Sequence, residues 1–410
     1  MDSPDISQPS DASAKRLTIG FLNWAHALDH FVMLIYPTVV IGLEAIYAKS
    51  YAELIALSTA SFITFGVFSL PAGWLADHWS RRNMMAVFFL GCGASLLAAG
   101  AAPNAIALAI ALGMLGVFAS IYHPVGMAML IEVSQARGRT LAFNGVCGNL
   151  GAALAAGVSA LIAAVVGWRA AFFIPAALCL ATGILYLALT PVDRHLAAAR
   201  TSSPAMRVST RAMVVLFGCF IVVALAAGLT FNVISVALPK IVDERLGRDV
   251  SLIAVGGLTT AVFMCGALAQ LAIGRLAEKF PPHILFALIV VLEFGAILWA
   301  AHATGPTLMV ALALAMGAIY GQVTVNDMVI ARYTADAWRG RIYAVRYFLI
   351  FITSGAGVAL IAFLHGRGGF DLVLAATAAV AAILVLGVFG IVAVVSGAEG
   401  KRARVAQPAE

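Results

Sequence analysis

Short polar loops divide the chain into twelve long apolar stretches, and this division limits the fold more than any other feature of the sequence. A helix needs about 20 apolar residues to cross a bilayer, where no water is available to satisfy an exposed backbone. Of the 410 residues, 62% are hydrophobic and only 11% are charged, whereas about a quarter of the residues in a soluble domain are charged. The pattern predicts an all-α membrane protein with no large soluble domain.

The predicted spans form two sets of six. Residues 191–211 are the longest polar stretch in the interior and are interpreted as a linker between an N-terminal half, 18–190, and a C-terminal half, 212–396. Residues 1–17 are polar and rich in Ser, Asp and Pro, which predicts a disordered tail, and residues 397–410 are predicted to form a second tail. The predicted spans are 18–46, 52–76, 84–102, 105–132, 141–166, 170–190, 212–240, 251–277, 283–302, 306–332, 341–364 and 370–396.

Basic residues concentrate on one side of the predicted membrane. An even number of spans puts both termini on the same side, and if that side is the cytoplasm, 19 of the 25 Lys and Arg residues are cytoplasmic. Positive charge is retained on the cytoplasmic side of membranes. We therefore predict a multi-pass protein of the bacterial inner (cytoplasmic) membrane, with both termini and the linker in the cytoplasm.

The two halves repeat the same short motifs at an offset of about 200 residues. Three matches occur in the same order, and they predict a parallel duplication of six plus six spans. Such a duplication places the substrate site between the halves, near the midplane of the membrane. The matched segments are 73–78 (GWLADH) with 274–279 (GRLAEK), 137–139 (RGR) with 339–341 (RGR), and 167–172 (GWRAAF) with 366–370 (GRGGF).

Residues 73–82, GWLADHWSRR, resemble the signature loop between the second and third spans of the major facilitator superfamily. The resemblance implies twelve spans in two six-helix halves and a cytoplasmic gate that is locked while the outside is open. Asp77 is expected to face the positive N-terminus of a helix in the other half. Alternatively, the arginines only fix the topology. The predicted gate residues are Gly73, Asp77, Arg81 and Arg82, with Gly274 and Glu278 in the second copy.

A narrower resemblance involves the first, fourth and fifth spans. Residues 122–126 (YHPVG) and 145–151 (GVCGNLG) are similar to segments of the fosmidomycin-resistance type of drug exporters. His26 and Asp29 are similar in kind to the His and Asp found early in that group's first helix, although the spacing differs and His30 follows Asp29 directly. This resemblance implies efflux of a small organic or amphiphilic compound.

The first span carries the densest polar cluster, formed by Asn23, His26, Asp29 and His30. On a helix these four side chains occupy a sector of roughly 100°. An ionised aspartate at the bilayer centre costs about 2.5 kcal/mol or more, and a neighbouring imidazole titrates near neutral pH. We predict that Asp29, helped by His30 and His26, carries the coupling proton and that His123 contacts substrate. Further predicted substrate contacts are polar residues within spans: Asn23, Tyr122, Asn144, Asn149, Asn232, Asn326, Asp327 and Arg346.

Two alternatives remain open for the polar cluster. His26, Asp29, His30 and His123 offer imidazoles and a carboxylate to a divalent cation. No cysteine or second carboxylate is obviously placed to complete a coordination shell, so the prediction is no metal site and no cofactor. The other alternative is a structural network that pins the first span to the fourth.

The sequence therefore predicts a secondary transporter, a proton-coupled antiporter that works by alternating access. The alternative is an uptake symporter in which Arg346 and His123 bind an organic anion. No nucleotide-binding loop, catalytic triad or continuous basic face appears, so neither ATP-driven transport, enzyme activity nor nucleic-acid binding is expected. The expected partners are a small-molecule substrate, protons and the lipid bilayer, and the expected oligomeric state is a monomer.

Overall fold

The computed structural model describes residues 11–134, 137–190, 210–246, 250–333 and 336–406, in which all regular structure is helical. Eleven described segments are long and apolar enough to cross a membrane. The last segment contains two helices, because Gly368 and Gly369 have non-helical dihedral angles and Gly369 has a φ of 58°. The described residues thus form twelve spans, as predicted.

We number the spans α1 to α12. In the first half, α1 is Asp11–Val39 continued by Val40–Leu43 and Glu44–Tyr47, α2 is Tyr51–Leu57 with Thr59–His78, α3 is Arg81–Ala101, α4 is Ala105–Ala119 continued by Tyr122–Gly126 and Met127–Val133, α5 is Arg137–Val165 and α6 is Ala170–Leu189. In the second half, α7 is Thr210–Leu246, α8 is Leu252–Lys279, α9 is Pro282–His302, α10 is Gly305–Tyr333, and the two glycines divide Asp336–Ala406 into α11 and α12.

The helix ends differ from the predicted span boundaries. Helix α1 begins at Asp11, within the predicted tail 1–17, and α12 continues to Ala406, within the predicted tail 397–410. Ala, Lys and Arg in these stretches favour helix, so the helices continue beyond the apolar residues that define each span. Residues 1–10 and 191–209, the latter holding most of the predicted linker, lie outside the described residues.

The helices pack in a similar way in both halves. In the first half α1 packs on α5, α2 on α4 and α3 on α6; in the second half α8 packs on α10 in the same way, and α7 and α9 both pack on the segment formed by α11 and α12. Pro37 inside α1 and Pro239 inside α7 are a further match at the offset of the sequence repeat. The packing therefore follows the duplication that the motifs predicted.

The two halves meet where α5 crosses α8 and α2 crosses α11. Glycines allow both close approaches. A Cβ atom added to Gly256 would lie 2.4 Å from Ala160 Cβ, and one added to Gly66 would lie 2.7 Å from the carbonyl oxygen of Phe351. Any larger residue at these two glycines would force the halves apart.

The hydroxyl of Thr260 on α8 makes two hydrogen bonds with the backbone of α5. Thr260 Oγ1 donates a hydrogen bond to the carbonyl oxygen of Ala153 (2.6 Å) and accepts one from the Gly157 N–H (3.1 Å). These two backbone groups are four residues apart, the spacing of donor and acceptor in an α-helix. One side chain of the second half is therefore bound to a main-chain donor and a main-chain acceptor of the first.

Candidate functional site

Asp29 is a buried carboxylate within α1. Its Oδ2 lies 3.4 Å from Nε2 of His123 on α4, and its side chain is only 2% exposed. The other oxygen, Oδ1, has no hydrogen-bond partner among the residues that the structure describes. His30 and His26 were predicted to help Asp29 carry the proton, but the contact with this carboxylate is made by His123, which was predicted to contact substrate.

A π-helical turn in α4, Tyr122–Gly126, carries His123. Pro124 lies inside this turn and has no backbone N–H, so it cannot make a regular main-chain hydrogen bond. Single π-helical turns within α-helices often occur at functional sites. The Tyr-His-Pro segment singled out in the sequence is therefore the point at which α4 departs from regular geometry.

His26 is held by hydrogen bonds to α5. Its Nδ1 lies 2.8 Å from both the carbonyl oxygen and the side-chain Oδ1 of Asn144. Two acceptors at one nitrogen assign the proton to Nδ1 and leave Nε2 as an acceptor. The Nε2 of His30 lies 3.2 Å from His26 Nε2 and donates to it in this tautomer.

Three of the predicted substrate contacts are hydrogen-bonded to one another. Tyr122 donates to Asn144 Oδ1 (3.1 Å), and Asn144 Nδ2 donates to Asn23 Oδ1 (3.0 Å). All three side chains are buried. Tyr122, Asn144 and Asn23 thus join α1, α4 and α5 and position His26, as the structural-network alternative expects.

Three imidazoles meet beside Asp29. One ring nitrogen each from His26, His30 and His123 lie within 4.8 Å of one another. His123 also packs its ring against Phe351 on α11 of the other half, with ring centroids 5.3 Å apart. The cluster therefore reaches the boundary between the halves, and the spacing of its nitrogens keeps the metal alternative open.

The predicted contacts of the second half behave differently from one another. Arg346 on α11 is buried and makes an ion pair with Asp327 on α10. Asn232 donates to the carbonyl oxygen of Gly228 in its own helix (2.7 Å), and Asn326 is buried on α10. The structure thus brings Arg346 and Asp327 together and satisfies Asn232 locally.

Asn149 links the two halves through an amide. Its Nδ2 donates to Gln270 Oε1 on α8, and Gln270 Nε2 donates to Thr324 Oγ1 on α10 (2.9 Å). Asn149 was a predicted substrate contact, whereas Gln270 and Thr324 were missed. Their only signal in the sequence is a polar residue within an apolar span.

The contacts given below for the predicted gate motif join it to other residues of the first half. Arg81 pairs with Asp77 (2.7 Å) and with Glu132 on α4 (3.0 Å), and Arg82 Nη2 donates to the carbonyl oxygen of Leu187 on α6 (2.5 Å). Glu132 was missed by the sequence analysis. A Cβ atom on Gly73 would lie 3.3 Å from Pro124 Cβ, so α2 and α4 approach closely here.

In the second copy of the motif, Gly274 lies near Thr324, where an added Cβ atom would be 3.9 Å from Thr324 Cγ2. Glu278 is exposed. The contact expected between Asp77 and a helix of the other half is a prediction for another conformer.

The halves form an ion pair at the end of the bundle opposite the chain termini. Lys240 of α7 donates to Glu44 of α1 (2.6 Å) and to Asp243 (2.9 Å). Beside it, the ring of Tyr51 on α2 lies 4.9 Å from that of His365 on α11. We call Glu44, Tyr51, Lys240 and His365 the distal latch. In the sequence, Lys240 is one of the six Lys and Arg residues predicted to lie outside the cytoplasm.

Comparison with known proteins assigns the family. The family model of the Major Facilitator Superfamily matches residues 20–247 and 220–409. The chain belongs to this superfamily of transporters, which agrees with its twelve spans and parallel repeat.

Solved structures and a curated relative add detail. The chain is similar to a bacterial homologue of the human lysosomal transporter Spinster, in inward-facing unoccupied and occupied conformations, with TM-scores of 0.73 and 0.70 at 13% and 14% identity; both matches cover 96% of this chain and 97% of the other. It is 32% identical over 140 residues to the puromycin resistance protein pur8 of Streptomyces alboniger. That match spans 33% of this chain and 28% of the relative.

Proposed function

We propose that this protein is a proton-coupled antiporter that exports a small organic or amphiphilic solute across the bacterial inner membrane. Membership of the superfamily supports transport. The similarity to a puromycin resistance protein, and the resemblance to exporters of the fosmidomycin-resistance type, support efflux. The observation that carries the coupling is Asp29, a buried carboxylate with one oxygen unpartnered among the described residues and the other beside His123.

The proposed coupling arises because proton and substrate compete for one imidazole, that of His123. In the ionised state Asp29 accepts a hydrogen bond from His123 Nε2–H, and this contact offsets part of the cost of a buried charge. A proton taken up by the Asp29–His123 pair displaces substrate from His123, and its release frees His123 for the next substrate. His30 and His26 keep the polar face of α1 hydrated or hydrogen-bonded while the proton moves. Proton and substrate are thereby exchanged through the same pair of side chains.

Alternating access uses contacts at the two ends of the bundle. With cytoplasmic termini, the distal latch closes the outer end in the conformer described here. Opening the outer end requires the Lys240–Glu44 pair to break, and the gate motif then closes the inner end. Asn149, Asn232, Asn326, Asp327 and Arg346 are proposed to contact substrate during this cycle, and the transporter is proposed to act as a monomer.

Two other functions have specific support. An organic-anion symporter would use Arg346, but Asp327 already neutralises that guanidinium, so an anion would have to displace a carboxylate. A divalent-cation transporter would use the three clustered imidazoles. His26 is already hydrogen-bonded to Asn144 and to His30, and His123 contacts Asp29, which favours the antiporter.

The test is transport in proteoliposomes with an imposed pH gradient, with puromycin as the first solute of a panel of organic cations, organic anions and Zn²⁺. Asp29→Asn keeps the shape of the side chain and removes its titration. It should abolish accumulation driven by the gradient and spare downhill exchange, and His123→Ala should weaken binding. Asp371→Asn, which changes an exposed carboxylate, is the matched control.

Gradient-driven accumulation by the Asp29→Asn protein would move the proton site elsewhere, with Asp327 as the next residue to test. Accumulation of Zn²⁺ or of organic anions only would replace the proposed substrate class.

A further inference from the structure

Glu293 is a second carboxyl group inside the bundle, remote in sequence from the Asp29 cluster and without a predicted role. It lies in the middle of α9 and is 0% exposed. Its Oε1 lies 2.8 Å from Thr230 Oγ1 on α7, whereas Oε2 is buried with no hydrogen-bond partner in the described part of the chain. Its neighbours one turn away on α9, Val290 and Ile297, are apolar and fully buried.

The protonation state follows from counting protons at Thr230. The Thr230 hydroxyl lies 2.8 Å from Glu293 Oε1 and 3.1 Å from the carbonyl oxygen of Ala227, and it has one proton to donate. An ionised Glu293 can only accept, so it would take that proton, and Ala227 would lose its contact. The carboxylate would then keep a single hydrogen bond in an apolar interior, which is costly.

A protonated Glu293 satisfies both contacts. Its hydroxyl donates to Thr230 Oγ1, and Thr230 donates to the carbonyl oxygen of Ala227. The unpartnered Oε2 is then a neutral carbonyl oxygen rather than half of a charged group, so its burial costs far less. The two distances therefore fit the acid form, whereas beside an ionised Glu293 the Thr230 hydroxyl could donate to only one of its two neighbours.

No cation compensates the carboxyl group among the described side chains. None of their salt bridges includes Glu293, and the basic groups Lys240, Arg245 and Arg346 each pair with another acid. On α9 itself the other titratable side chains are at its two ends, His283 and His302. The described titratable or charged side chains on the helices that contact α9 are Tyr320, Asp327, Arg332 and Tyr333 on α10, Arg346, His365 and Arg367 on α11, Asp371 on α12, Cys265, Arg275, Glu278 and Lys279 on α8, and Cys219, Lys240, Asp243, Glu244 and Arg245 on α7.

We propose that Glu293 is a proton-binding site of the second half, filled in this conformer and distinct from Asp29. The proton holds α9 to α7 through Thr230, two residues before Asn232. Together with Asp29, whose proton binding rests on the proposed function, the helix bundle then contains two carboxyl groups that bind protons, one in each half.

Infrared spectroscopy of the purified full chain tests the proposal, because a protonated carboxyl has a carbonyl band separate from those of carboxylates and amides. A carbonyl oxygen without a hydrogen bond absorbs at the high-frequency end of that range. At neutral pH the wild type should show such a band, shifted in D₂O. Glu293→Gln should lose it, and Asp29→Asn, the matched control in the other half, should keep it.

Thr230→Val provides an independent check that leaves Glu293 in place. Removing the acceptor of the acid proton should shift the band without abolishing it. Spectra of wild type and Glu293→Gln that superimpose at neutral pH, with a band emerging only on acidification, would show that Glu293 is ionised and would overturn the proposal. If the Glu293→Gln protein does not fold, the Thr230→Val spectrum decides alone. A band that is unshifted or absent in that variant at neutral pH would also overturn the proposal.

Discussion

The distal latch gives a prediction whose size can be worked out from the structure. Glu44→Gln removes the charge with which the first half holds Lys240, while Asp243 still pairs with the ammonium group from within the second half. The change therefore weakens the contact between the halves without leaving a buried Lys unpaired. We expect it to favour conformers that are open at this end.

The expected magnitude is modest. A hydrogen bond between charged groups contributes about 1.5–3 kcal/mol, but the Glu44 side chain is 36% exposed, and solvent screens an exposed ion pair to about 1 kcal/mol or less. A value of about 0.5–1.5 kcal/mol is therefore reasonable for this half-buried pair. Since each 1.4 kcal/mol is a factor of ten, the ratio of open to closed molecules should rise roughly 2- to 12-fold.

The assay is a spin-label distance measurement between the two halves. Labels at Ile46 and Thr304 lie in the two halves at the latch end, and both side chains are exposed. Glu44→Gln should increase the long-distance population. The matched control is Glu53→Gln, which breaks a surface pair with Lys49 inside the first half and should leave the distances unchanged. Identical distributions in wild type and Glu44→Gln, or the same shift in the control, would refute the role of the latch.

Three further predictions concern other contacts. Thr260→Val removes both hydrogen bonds to α5 and should destabilise the fold or this conformer by about 1–3 kcal/mol. The loss should be seen in thermal unfolding or in distances between the halves. The control is Thr259→Val, which should cost little because the Thr259 hydroxyl has no partner in the described chain. Asp77→Asn should reduce transport and change cysteine accessibility at the terminal side while protein abundance is kept, and normal transport with unchanged accessibility would favour a topology role only. Reporter fusions within residues 191–211 should report a cytoplasmic linker, and a periplasmic signal would contradict the predicted orientation.

Much of the fold could be predicted because a membrane span is a local property. Twenty apolar residues in a row are sufficient to predict a span, and the repeated motifs at 73–78 and 274–279 reveal the duplication without any contact being known. The boundaries were less accurate at Asp11 and Ala406, where helix propensity rather than hydropathy decides the end of the helix.

The candidate site could be predicted only as a set of residues. The sequence indicated Asp29, His26, His30 and His123 because ionisable groups are rare in spans. It could not show that Asp29 contacts His123 rather than His26, since that choice depends on the π-helical turn of α4 and on Asn144 of α5. It also placed Tyr122 and Asn144 among the substrate contacts, whereas the structure buries both in the network that positions His26.

The sequence by itself determined the twelve spans, the two related halves and the small group of intramembrane polar residues, because hydropathy and motif repetition are properties of the chain read in order. Only the tertiary structure decided which polar groups meet: Asp29 with His123, Arg346 with Asp327, Lys240 with Glu44, and Thr260 with the backbone of α5. A buried polar group must find its partner within hydrogen-bond distance, and whether two helices far apart in sequence bring their groups that close depends on how they cross and rotate, which no local pattern specifies.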